Sequence, residues 1–175
     1  MRPRGRGQNH RGADSSCSLI FRSLNTVGMN LILWRHADAE DGIPDEQRRL
    51  SAKGHKQAKK MADWLTAHLP GDWRVMASPA VRTCETANAL AVDFVIDTAL
   101  STSATPQGLL KAAGWPGGRG TVVVVGHQPT LGAAAALALT GSIQPWNVKK
   151  GAIWWISRDD QGEVMVRAVL APGIL

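Results

Sequence analysis

Two continuous apolar runs organise the chain. Leu31-Ile32-Leu33-Trp34 is followed at once by Arg35-His36-Ala37, and Thr121-Val122-Val123-Val124-Val125 by Gly126-His127-Gln128-Pro129. Runs of this length without polar alternation read as strands covered on both faces. The first strand spans 30–35 and the second 121–126. Between and after them the period changes. Ser51 reads as the cap of a helix to about His68, with Ala58, Met61, Ala62 and Leu65 on one face and Pro70-Gly71 as its stop. Trp73 to Ala77 reads as a strand. Ser78 reads as the cap of a helix with Pro79 at its first position, running to about Ala91. Phe94-Val95-Ile96 is a short extended piece. Thr105 caps a further helix, opened by Pro106 and ending near Ala113. A last helix runs from about Pro129 to Gly141. Residues 151–157 and 163–170 read as a hairpin turning at Asp159-Asp160-Gln161-Gly162. There is no internal repeat. Strand–helix alternation predicts an α/β fold in three layers: a mostly parallel central sheet with helices on both faces.

Composition narrows this picture. The chain has 175 residues, 44% of them hydrophobic, which suits one domain with a sizeable core. Its two cysteines, Cys17 and Cys84, form no CxxC pair. That excludes a disulfide scaffold and a cysteine-rich zinc site, and fits a reducing, cytoplasmic setting. The net charge is +6, but +4 of it lies in residues 1–28, which leaves +2 on residues 29–175. Those first 28 residues are Arg/Gly-rich and aperiodic, and are expected to be a disordered tail, with Met29 as the expected true start and 29–175 as one domain. Leu19-Ile20-Phe21 is too short for the apolar core of a signal peptide. No stretch reaches the ~18 apolar residues of a membrane helix. A basic arm touching RNA is the alternative use of the tail; without it the core offers no nucleic-acid pattern.

Side chains just past the C-terminal ends of parallel strands sit where open α/β sheets bind ligands. Two histidines and an arginine at such a mouth suggest phosphoryl chemistry: one His attacks, while Arg and the other His hold charge. A single strand-end histidine is more often structural; His36 and His127 together, each in its own motif, favour function. Arg82 and Glu85, at i and i+3, can form a surface pair, with Glu85 buttressing Arg82. His55, in a Lys-rich helix stretch, reads as surface. No third ligand accompanies His36 and His127, so no metal and no cofactor is expected.

Arg35-His36-Ala37 after a buried strand resembles the Arg-His-Gly signature of the histidine phosphatase superfamily, with its phosphoglycerate mutase-like fold. Ser78-Pro79-Ala80-Val81-Arg82-Thr83-Cys84-Glu85-Thr86-Ala87 resembles that family's second motif, and Gly126-His127 its third. The likeness spans residues 29–170 in order. The short length, and Asp45-x-x-Arg48 before Leu50-Ser51-Ala52-Lys53-Gly54, most resemble the small SixA branch, which dephosphorylates phosphohistidine on signalling proteins.

The chemistry agrees. A neutral imidazole is a competent nucleophile at phosphorus, so His36 is the expected nucleophile, giving a phosphohistidine intermediate that water hydrolyses. Arg35 and Arg82 can each fork onto two phosphate oxygens, and His127, as donor or cation, covers another. The helix opening at Ser78-Pro79 offers further N–H groups. The resemblance adds Arg48 as a phosphate contact and Asp45 as a pocket residue. Two departures stand out. Ala37 replaces the usual Gly, which is tolerable unless φ is positive. The acidic segment that supplies a leaving-group proton in larger members is missing, since residues 99–120 hold no Asp or Glu. Asp45 is the carboxyl best placed to substitute. Imidazole leaves far more easily than an alkoxide, so the expected substrate is protein phosphohistidine on a transient signalling or phosphotransfer partner, with the enzyme a monomer. A small-molecule phosphomonoesterase, and a phosphate- or phosphoprotein-binding module without turnover, remain alternatives.

Overall fold

The computed structural model describes residues 28–175. The tail reading, and the start at Met29 that goes with it, lies outside these residues. In chain order the elements are β1 (Met29–Arg35), α1 (Ala52–His68), β2 (Trp73–Ala77), α2 (Val81–Asn88), β3 (Phe94–Ile96), α3 (Pro106–Ala113), β4 (Gly120–Gly126), α4 (Thr130–Thr140), β5 (Ile153–Arg158) and β6 (Val164–Leu170).

They build one sheet in the order β3-β2-β4-β1-β5-β6. β1, β4, β2 and β3 run parallel, and β5 and β6 complete the sheet as an antiparallel hairpin beside β1. The apolar runs are buried on both sides because they lie in the middle. Along β1 and β4 the side chains alternate between two cores. Leu31, Leu33, Val122 and Val124 meet α3 and α4 through Leu109, Leu131 and Ala135. Ile32, Trp34, Val123 and Val125 meet α1 and α2 through Met61, Leu65 and Ala87.

Local chemistry fixes the helix starts. Ser51 and Thr105 cap α1 and α3 by accepting the N–H groups of Gly54 and Gly108. Helix α4 ends at Gly141, which adopts positive φ. Gly54 also allows a close approach: a Cβ there would stand 1.9 Å from the Asp38 carbonyl oxygen. The loop after His36 therefore rests directly on the first turn of α1.

Three boundaries differ from expectation. Helix α2 starts at Val81 with Ala80 at its cap, not at Pro79, and the Ser78 hydroxyl lies 2.8 Å from His127 Nε2. It also ends at Asn88, short of Ala91. Residues 151–152 precede β5 instead of opening it. Gly151 donates its N–H to the His36 carbonyl (3.1 Å), and the Ala152 carbonyl accepts from Arg35 N–H (3.0 Å). No helix among the described residues is long and apolar enough to cross a membrane.

Candidate active site

The sheet order brings three strand ends side by side. β1 delivers Arg35 and His36, β4 delivers Gly126 and His127, and β2 delivers Ser78. Backbone bonds lock them together: His36 N–H donates to the Gly126 carbonyl, and Ser78 N–H to that of Val125, both at 3.1 Å. His36, Arg82, His127 and Ser78 are all buried.

His36 donates its Nδ1–H to the carbonyl of Ala37 at 2.7 Å. That bond fixes the tautomer and leaves the Nε2 lone pair unprotonated. Burial pushes the His36 pKa to about 3; the Ala37 carbonyl opposes this, and His127, Arg82 and Arg35 reinforce it. The ring is neutral at physiological pH. Ala37 is itself held, its N–H donating to the Thr86 hydroxyl at 3.1 Å. Its φ is not positive, so a methyl fits where the family pattern has Gly.

His127 lies with its ring centre 5.4 Å from that of His36. Arg82 Nη2 donates to its Nδ1 at 3.3 Å, so the ring proton is on Nε2, 2.8 Å from the Ser78 hydroxyl. Burial, then the neighbouring Arg82, brings its pKa to about 4. Of the two expected states of His127, donor or cation, burial disfavours the cation: the ring is neutral, and its nitrogens meet Arg82 and Ser78.

Arg82 reaches the site from α2. Its Nη2 donates to Asp45 Oδ2 at 2.8 Å and its Nη1 to the Asp45 carbonyl, while Nε is buried without a partner. Arg35 donates through Nη1 to the Val148 carbonyl at 2.7 Å, and its Nε is likewise unpartnered. These two orphaned donors belong to the two guanidiniums nearest the histidines, and buried donors are costly to leave unpaired. The arrangement suits an anion.

Asp45 and Arg48 sit on the loop after His36. Asp45 bridges the two arginines, accepting from Arg48 Nη1 at 2.9 Å as well as from Arg82. Those bonds, that to Arg48 foremost, hold its carboxyl below the usual carboxylate range. An acid at neutral pH needs the opposite shift. The structure thus keeps Asp45 beside the site but ionised, and unsuited to the proton-donating task the sequence suggested. Arg48 is turned toward its own loop, donating also to the Glu40 carbonyl at 2.7 Å.

Glu85 does not buttress Arg82. It accepts from Arg49 Nε and Leu50 N–H, both at 2.7 Å, and so anchors the base of the loop to α2. Sequence reasoning missed three supporting groups. Thr86 carries Ala37. Ser78 meets His127 instead of capping a helix. Gln128 donates to the Trp146 carbonyl at 2.7 Å and accepts from Val148 N–H, which positions the carbonyl that holds Arg35. His55 is exposed, as expected of a surface residue.

The model of the histidine phosphatase superfamily (branch 1) matches residues 31–101, which carry the first two strand ends and Arg82. The match covers less than half of the chain. An uncharacterised protein of Mycobacterium leprae is 33% identical over 104 residues, 58% of this chain and 64% of that protein. One of Mycobacterium tuberculosis is 33% identical over 105 residues, 58% of this chain and 66% of its own length. The match thus spans just under two thirds of these relatives. The structure of the protein histidine phosphatase SixA complexed with tungstate superposes with TM-score 0.68 at 24% identity, over 83% of this chain and 99% of that one. A protein of Nakamurella multipartitia assigned to SixA gives 0.68 at 26%, over 83% and 96%. Phosphoglycerate mutase of Plasmodium falciparum gives 0.59 at 21%, over 81% and 90%. The fold is that of the phosphoglycerate mutase-like histidine phosphatases.

Proposed function

We propose that this protein is a histidine phosphatase that hydrolyses protein phosphohistidine through a covalent intermediate on His36, in a phosphorelay or phosphotransfer system. The observation that carries the reading is the state of His36: neutral, its Nδ1–H tied to Ala37, its Nε2 free, with Arg35 and Arg82 close by in the same cluster. The His36 Nε2 lone pair attacks phosphorus while the bond from phosphorus to the substrate nitrogen breaks. The electron pair leaves with the substrate imidazole, which is protonated from solvent. Water then attacks phosphorus, His36 Nε2 recovers its pair, and inorganic phosphate departs. Arg35 and Arg82 meet the charge on the equatorial oxygens. His127 holds Arg82 in place by accepting its N–H.

The leaving group selects the substrate class. Asp45 is ionised and bridges two arginines, so it offers no proton to a departing alkoxide. Imidazole, with a conjugate acid of pKa about 6.5, leaves without that help. The tungstate held by the SixA structure is an oxyanion of the kind this site suits.

The test is phosphate release from a phosphohistidine-carrying domain, an aryl phosphate and a sugar phosphate, with His36→Ala as control. Release from the protein well above the sugar phosphate, lost in the variant, supports the proposal. Turnover of sugar phosphate at the same rate sinks the leaving-group argument. Release that survives His36→Ala removes His36 as nucleophile.

A further inference from the structure

On the reading that Arg82 grips a phosphoryl group, Asp45 stands in that group's way. Arg82 has two terminal nitrogens for a bidentate fork, and both are taken by this one residue: Nη1 by its carbonyl, Nη2 by its carboxylate. We propose that Asp45 is a specificity-determining residue, an internal carboxylate that occupies the Arg82 fork until a dianionic oxyanion displaces it.

The loop is built for such an exchange. At its base, Ala39 and Leu50 form a bridge, Glu40 N–H donates to the Arg49 carbonyl at 2.9 Å, and Glu85 grips Arg49 and Leu50. Beyond that base, residues 40–47 are exposed, and the short 3-10 turn at Asp45–Gln47 buries no side chain. Arg48 gathers this head into a unit through the Glu40 carbonyl, Asp45 at 2.9 Å and Asp41 at 3.4 Å. If the head swings away from Arg82, Asp45 keeps its pair with Arg48 and stays charge-compensated. Little apolar surface is uncovered, so the movement is cheap.

The exchange favours one ligand class. A monoanion entering the fork replaces one negative charge with another and gains little. A dianion adds a charge between Arg35 and Arg82, which no carboxylate of the chain can match. Asp45 thereby sets the threshold that a ligand must exceed.

The experiment is titration calorimetry of the full chain with inorganic phosphate and with nitrate, at pH 8 and fixed ionic strength. Asp45→Asn and Asp45→Ala are compared with the wild type, and Arg82→Ala reports whether binding is at this site. Both Asp45 variants are expected to bind phosphate about two- to fivefold tighter, the range of one partly exposed ion pair. They are also expected to bind nitrate that the wild type ignores. Phosphate affinity that is unchanged or weaker in both variants, or an unchanged phosphate-to-nitrate ratio, overturns the proposal. Absence of Arg82-dependent phosphate binding in every form overturns the phosphoryl-site reading itself.

Discussion

Truncating Arg82 to Ala separates catalysis from stability. The guanidinium side chain is 5% exposed, while its carboxylate partner on Asp45 is 57% exposed. Removing the arginine leaves Asp45 in water and still paired to Arg48 at 2.9 Å. The pair is therefore worth no more than a surface one, about 0–1 kcal/mol, and the fold should survive. The loss in the transition state is larger. Arg82 is a buried donor held in advance by His127, and removal of one such donor costs about 10²–10³-fold in kcat, or about 2.7–4 kcal/mol. A second effect separates this role from a structural one. Arg82 is among the causes that depress the pKa values of His36 and His127, so both should rise in the variant. The assay is kcat/KM on an aryl phosphate from pH 5 to 9, with thermal unfolding alongside. A loss under threefold, or a loss matched by collapse of the unfolding transition, refutes the reasoning.

The two histidines make stability depend on pH. Each has a native pKa, about 3 and about 4, below its ordinary value near 6.5. Between these limits the unfolded chain binds protons that the native chain refuses. Stability is therefore complete above about pH 6.5 and falls as pH drops toward 4, by at most about 1.4 kcal/mol per pH unit for each ring. Unfolding of His36→Gln and His127→Gln, measured at pH 4.5 and 7.5, should show a flatter dependence. Thr86→Val leaves the Ala37 N–H without its acceptor and should cost about 1–3 kcal/mol in denaturant unfolding, with kcat reduced as His36 loses its anchor. Gly132→Ala puts a Cβ 1.7 Å from the Trp146 carbonyl oxygen; it should lower Tm and weaken oxyanion binding by loosening the segment that holds Arg35. Chelator should leave turnover unchanged, because two arginines beside the histidines disfavour a cation; a clear loss with EDTA counts against the mechanism.

How legible each feature was in the sequence depends on where its partner lies. α1 and α3 were readable because Ser51 and Thr105 cap N–H groups three residues away. β1 and β4 were readable because burial on both faces leaves an uninterrupted apolar run. Ser78 misled because a serine followed by proline looks the same whether its hydroxyl caps a helix or meets a ring 49 positions away. Glu85 misled because helix spacing sets which residues are neighbours, not which way their side chains turn; Arg82 turns to Asp45, and Glu85 to the loop base. Thr86 and Gln128 gave no signal, since each serves a backbone group of a distant segment. His36, His127, Arg35 and Arg82 were readable as groups that meet at the strand ends, and His36 as a neutral ring, but the state of His127 was left as donor or cation. The state of His127 is set by burial and by a guanidinium that only the folded sheet brings near.

The central position of β1 has a consequence for how the chain is made. Asn30 pairs with Thr121 across a separation of 91 residues, and β5 comes later still. At a synthesis rate of about 5–20 residues per second, the first strand waits roughly 5–18 s for its inner neighbour. Through that interval Leu31, Ile32, Leu33 and Trp34 have no sheet to enter. The run that makes the finished protein's best-covered strand is, on the ribosome, its longest-exposed sticky segment, and the nascent chain is the form in which chaperone dependence should be sought.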